Sequence, residues 1–109
     1  MPRRKEQGQV WWANLPDPLG WRPVLILTRS DAIPNLLWVT VAPLTRTVRG
    51  IETEVVLTPA DGVPERSAVT LDNIATVETD LLVEHITTLA VEKMAEVWEA
   101  LHAAFDLPY

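Results

Sequence analysis

Cysteine is absent from the 109 residues. That excludes disulfides and thiolate-ligated metal sites, and it suits a reducing compartment. Histidine is scarce: His85 and His102 are the only two. No HExxH spacing accompanies them, so both read as surface or capping residues and no metal site is expected. The four glycines are scattered and form neither a phosphate-cradling loop nor a dinucleotide-binding turn, and there is no GxSxG elbow. No cofactor and no familiar nucleophilic triad are therefore expected. Long apolar runs are also missing. "VLIL" and "LLWVTVAPL" are too short to span a bilayer. The N-terminal "MPRRKEQGQVWWANL" has basic residues but no apolar h-region, so it does not read as a signal peptide. These absences predict one cytoplasmic domain over residues 1–109, without membrane association. Residues 1–7 are expected to form a flexible basic N-terminus.

With 48% hydrophobic and 22% charged residues, the chain can bury a single core. Net charge is −6, which taken alone argues against nucleic acid as a partner. The distribution says otherwise. Residues 1–50 hold seven basic and three acidic side chains (+4), whereas residues 51–109 hold two basic and twelve acidic ones (−10). An acidic protein can thus present a positive face, unless the two halves mix in three dimensions.

Residues 8–15, "GQVWWANL", are β-branched and aromatic and read as a strand. "PDPLG" (16–20) is turn chemistry, and "RPVLILTR" (22–29) is a second strand. After a turn at 31–35, "LLWVTVA" (36–42) is apolar on both faces and predicts a central strand that Pro43 limits. "TRTVRG" reads as a loop. "IETEVVLT" (51–58) predicts a strand with Glu52 and Glu54 outward. Residues 67–77 predict a fifth strand running into a short helical turn. "TDLLVEHIT" (79–87) reads as a short helix capped by Thr79 or Asp80. Val91, Met94, Trp98, Leu101 and Phe105 recur at helical spacing over 90–106, with Thr88 available as a cap near Ala90. The expectation is a mainly β protein, a small barrel or strongly bent sheet, with a C-terminal helix packed on it.

Five tryptophans are many for this length. Trp38 and Trp98 are expected in the core. Trp11 and Trp12, adjacent in a strand, point to opposite faces, so one suffices for burial. Trp21 beside Arg22 can stack a nucleobase or cover the end of the sheet. Arg22 either snorkels to water or faces an anion.

Five ordered segments bear on that choice: Gly8-Gln9-Val10-Trp11, Arg22-Pro23-Val24-Leu25, Val41-Ala42-Pro43-Leu44-Thr45, Thr53-Glu54-Val55-Val56-Leu57 and Asp72-Asn73-Ile74-Ala75-Thr76-Val77. Together they resemble the MazF/PemK endoribonuclease toxins of bacterial toxin–antitoxin systems, over about residues 8–107. The resemblance implies an SH3-like barrel that forms a homodimer. It implies metal-independent cleavage of single-stranded RNA, and inhibition by a cognate MazE-like antitoxin. It implies Arg22 and Thr45 as the catalytic pair. Trp21, Arg29, Arg46, Thr47 and Arg49 are the candidate RNA-binding residues around them. The chain departs from the family in its short 16–20 loop and in Ala75, where many members carry a basic residue. The alternatives are a non-catalytic toxin of the same fold that traps DNA gyrase, as the related CcdB toxins do, and a catalytically silent relative.

Overall fold

The computed structural model describes residues 3–108. The elements are β1 (Gln9–Asn14), β2 (Trp21–Ile26), β3 (Trp38–Thr45), β4 (Glu54–Leu57), β5 (Ser67–Thr70), β6 (Ala75–Glu78), β7 (Leu82–Thr88) and α1 (Val91–Phe105), with short 3-10 turns between several of them. All strand pairings are antiparallel. The order is β4-β5-β3-β2-β1-β7, with β6 also on β3, so the bent sheet is not closed. Among the described residues no helix is long and apolar enough to cross a membrane.

Period-two alternation along β1, β2 and β3 feeds two cores on opposite faces of this sheet. Val10, Leu25, Leu27, Ala42 and Leu44 join Val55, Leu57, Val69 and the α1 residues Val97 and Ala100 in one. Trp11, Ala13, Val24, Ile26, Val39 and Val41 join Val77 and Leu82 in the other. The central strands are apolar on both faces because both faces are buried.

Several expectations are corrected. Pro43 does not end β3; it lies inside the strand, opposite Val24. Beyond it, β3 leaves β2 and pairs with β5, Leu44 opposite Val69 and Thr45 opposite Ala68. A proline has no N–H to give a ladder, so it sits where the strand changes partner. The Pro43 carbonyl still accepts a hydrogen bond from the Thr70 hydroxyl at 2.9 Å. Residues 67–77 form two strands, β5 and β6, separated by the turn Leu71–Asn73. Residues 79–87 are not a helix: after a turn at Thr79–Leu81 they form β7 on the free edge of β1. The β-branched residues of "LVEHITT" suit an extended edge better than a helix.

In α1 the buried residues are Val97 and Ala100, with Met94, Leu101 and Ala104 packed beside them. Trp98 is 37% exposed, and Val91 and Phe105 are exposed as well. Trp38 is not core either, at 51% exposed on β3 opposite Glu78. The helix begins at Ala90 without a side-chain cap, since the Thr88 hydroxyl meets His85 Nε2 at 3.1 Å instead.

The expected flexible segment 1–7 lies partly outside the described residues. Within residues 3–7, the Gln7 N–H donates to the Ser30 hydroxyl at 2.9 Å, and the Lys5 ammonium lies 5.1 Å from the centre of the Trp11 ring.

Candidate active site

The β2–β3 register pairs Val24 with Pro43, Leu25 with Ala42 and Ile26 with Val41. Continued by two residues, it sets Arg22 opposite Thr45. Those two residues are not laddered, because β3 has by then turned to β5. The parting of the strands opens the surface there. A cleft of about 540 Å³ lies on one side, lined by Trp12, Trp21, Leu44, Arg46, Glu65 and Ser67 among others. A cleft of about 670 Å³ lies on the other, lined by Leu15, Val24, Val41, Arg49, Asp72 and Asn73 among others. Arg22, Thr45 and Thr47 border both clefts. They are the divide between them.

Local chemistry fixes each group. Loop 15–20 closes with the Leu15 N–H on the Gly20 carbonyl at 3.0 Å and the Leu19 N–H on the Pro16 carbonyl at 3.1 Å. It turns the Leu19 carbonyl toward Arg22, whose Nε–H donates to it at 3.2 Å. The guanidinium is therefore oriented through Nε while its two terminal nitrogens remain for another acceptor. The other two arginines of the clefts have carboxylate partners: Arg46 with Glu65 at 3.4 Å and Arg49 with Glu54 at 3.1 Å. Arg22 has none among the described residues. The Thr45 hydroxyl accepts the Thr47 N–H at 3.1 Å. This short turn occupies a lone pair and leaves the hydroxyl proton free to donate.

Glu54 turns inward, against expectation, and its side chain is only 1% exposed. Burial opposes the charged form. Hydrogen bonds from the Arg49 N–H (2.9 Å), Arg49 Nε–H (3.1 Å) and Gly50 N–H (3.2 Å), together with the Arg49 charge, outweigh it. The carboxyl is held below its usual 4.5. It ties the loop that carries Arg49 to the sheet. His85 lies edge-on to Trp11, 5.8 Å between ring centres. Its pKa is lowered from the usual 6.5, first by burial and then by the charge of Arg3.

Both shifts have the same sign for stability. A carboxyl with a depressed pKa stabilises the fold above its unfolded value, and that contribution is lost as pH falls. An imidazole with a depressed pKa binds fewer protons folded than unfolded, so acid also favours unfolding through it. The melting temperature is therefore expected to be level above about pH 7 and to fall in two stages, through the usual range of His85 and then that of Glu54. Melting curves at closely spaced pH values check this, and a melting temperature that rose on acidification from neutrality would contradict it.

Residues 6–105 match the family described as PemK-like, MazF-like toxin of type II toxin–antitoxin systems. The chain belongs to that family. It is 44% identical over 101 residues, 92% of either chain, to the probable endoribonuclease MazF5 of Mycobacterium tuberculosis. It superimposes on the Mycobacterium tuberculosis toxin MazF-mt6 with a TM-score of 0.85 at 40% identity, covering 93% of this chain and 99% of that one. A mycobacterial endoribonuclease solved with its cognate antitoxin gives a TM-score of 0.86 at 30% identity, covering 96% and 98%. The mainly β architecture with its C-terminal helix is that of the MazF toxins.

Within this family fold, Arg22, Thr45, Thr47, Trp21, Arg46 and Arg49 come together around the two clefts. Arg29 does not. It follows the other end of β2, roughly 23 Å along an extended chain from Arg22, lines neither cleft, and pairs with Asp31 at 3.4 Å. Sequence reasoning missed Trp12, Glu65 and Ser67. The hairpin register offered a signal for Trp12: it lies opposite Pro23 while Asn14 lies opposite Trp21, so the two indoles are diagonal neighbours on one face. Glu65 and Ser67 reach the cleft only because β3 changes partner to β5, which no local pattern announces.

Proposed function

We propose that the chain is an endoribonuclease toxin that cleaves single-stranded RNA, with Arg22 and Thr45 at the reacting phosphate. The observation that carries this reading is Arg22 itself, oriented through Nε and free of any carboxylate among the described residues, at the divide between two clefts and across from Thr45.

The chemistry follows from the groups. The 2′-oxygen attacks the adjacent phosphorus, the bond to the 5′-oxygen breaks, and the products are a 2′,3′-cyclic phosphate and a 5′-hydroxyl. Negative charge builds on the non-bridging oxygens. A planar, permanently charged guanidinium with two free terminal nitrogens matches two of those oxygens. The Thr45 hydroxyl donates to phosphate or steers the 2′-hydroxyl. Trp21, Arg46, Thr47 and Arg49 hold the flanking nucleotides, one strand of RNA running through both clefts. The positive charge at the reacting centre comes from Arg22, so cleavage is expected to persist in EDTA. The test is digestion of a long transcript by the purified protein and its Arg22→Ala variant. Wild-type activity that the variant lacks supports the reading, and equal cleavage by both overturns it.

The protein works as a single cytoplasmic domain over residues 1–109 and as a homodimer, which sets two Arg22/Thr45 sites side by side. Exposed Leu37, Trp38, Val91, Trp98 and Phe105 give more apolar surface than one copy covers. Sedimentation is expected to show a dimer at micromolar concentration; a monomer there would contradict it.

The partner that silences the toxin is a MazE-like antitoxin with an acidic, disordered tail, drawn to the basic first half and folding across the clefts. A tail peptide is expected to compete with RNA. Inhibition that left RNA binding intact would refute occlusion.

A further inference from the structure

The smaller cleft holds a carboxylate that a phosphate-binding surface has no use for. Glu65 lies in it beside Arg46, with one oxygen, Oε2, engaged at 3.4 Å. Ion pairs this exposed contribute little stability, so orienting Glu65 is the more consequential effect of Arg46. The other oxygen, Oε1, has no hydrogen-bond partner among the described residues. On the same wall Trp12 and Trp21 stack with ring centres 5.5 Å apart and planes 10° from parallel. Trp21 is still 54% exposed. With Trp12 against one face of the indole, the other face is open. Ser67 lines the cleft as well and is 6% exposed. Its side chain makes no hydrogen bond among the described residues, yet none of their side-chain polar atoms is both sealed from solvent and unpartnered. The hydroxyl therefore opens into the cleft.

Resting on the ribonuclease reading, we propose that this cleft is a nucleobase subsite for a nucleotide flanking the scissile phosphate. It selects a base whose Watson–Crick edge carries an exocyclic amino group beside a ring-nitrogen acceptor, which means cytosine or adenine. The base stacks on the open face of Trp21. Glu65 Oε1 accepts from the amino group, the pairing by which carboxylates recognise cytosine N4, and the Ser67 hydroxyl donates to the ring nitrogen. Uracil presents a carbonyl oxygen to the Glu65 carboxylate and is rejected by lone-pair repulsion. Guanine uses two adjacent donors on a carboxylate, but Arg46 already claims Oε2. Trp21 adjoins Arg22 in the chain, which places the selected base next to the reacting phosphate.

Binding of 2′-O-methyl oligonucleotides, which the 2′-oxygen cannot cleave, tests this without relying on turnover. Tryptophan quenching is expected to show oligo(C) bound roughly tenfold tighter than oligo(U), the scale of one charge-assisted hydrogen bond. Glu65→Gln, a change at an exposed position, is expected to bring the two affinities within about twofold, because an amide donates to the uracil carbonyl. Trp21→Ala is expected to weaken both. Equal affinity of wild type for C and U overturns the proposal, as does a preference that survives Glu65→Gln, even if the protein cleaves RNA. A C preference lost in Glu65→Gln sustains it even if cleavage fails, in which case only the ribonuclease reading falls.

Discussion

Replacing Arg22 by alanine is expected to lower kcat/KM for RNA cleavage by about 100-fold or more, the scale of losing one preorganised donor to a developing oxyanion. The fold should survive. Arg22 lies at the loop end of the β1–β2 hairpin, its backbone pairs with Ala13, and the residue is only partly buried. What disappears is a guanidinium oriented by the Leu19 carbonyl and neutralised by no carboxylate among the described residues. Arg22→Lys should recover only part of the rate. An ammonium keeps the charge but cannot be held through Nε while presenting two further donors to phosphate. Thr45→Ala should cost about tenfold, less than Arg22→Ala, since a neutral hydroxyl gives a weaker hydrogen bond than a cation. If the two singles and the double variant all fell by the same factor, the pair would be acting as one unit rather than as stabiliser and positioner. Circular dichroism of each variant separates loss of chemistry from loss of fold.

The largest stability effect is expected at Gly62. It closes the turn Pro59–Asp61 with φ +98°, which L side chains rarely adopt. The space is also taken: an added Cβ would collide with the Thr87 hydroxyl and its Cβ. That hydroxyl donates to the Asp61 carbonyl at 3.1 Å and ties the turn to β7. Backbone strain and overpacking together should destabilise Gly62→Ala by about 2–4 kcal/mol. Gly50 supplies the control. It too has positive φ, +70°, but an added Cβ there meets nothing within 4 Å. Gly50→Ala should cost about 1 kcal/mol from strain alone. Urea denaturation of both variants checks the contrast; equal losses would mean that the Thr87 contact is immaterial.

Much of this architecture is legible in the residues. Strands 1–3 announce themselves by β-branched and aromatic runs between proline-rich turns, and β3 is central as its two-faced apolarity requires. Arg22 and Thr45 stand out through ordered motifs rather than through any local physical signature. The errors have specific causes. Residues 79–88 contain Leu82, Val83 and Ile86 at spacings that a helix and an edge strand share, and only pairing with β1 decides between them. In α1 the large apolar residues mark a stripe, but the sheet is met by Val97 and Ala100. Small side chains permit close approach, so bulk is a poor guide to which face packs. Glu54 alternates outward by pattern, yet the Arg49–Gly50 loop folds over it and supplies three donors. A buried carboxylate of this kind depends on a loop whose path the sequence does not reveal. The clefts themselves follow from the exchange of partners at Pro43, a tertiary event.

The most direct test of the central claim is the chemistry of the cut ends. A long RNA is digested under single-turnover conditions in EDTA by wild type and by Arg22→Ala, and the termini are analysed. The account predicts discrete cuts by wild type that leave a 2′,3′-cyclic phosphate and a 5′-hydroxyl, with the same cuts about 100-fold slower or absent in the variant. Ends bearing a 3′-hydroxyl and a 5′-phosphate, or equal rates for the two proteins, would contradict it.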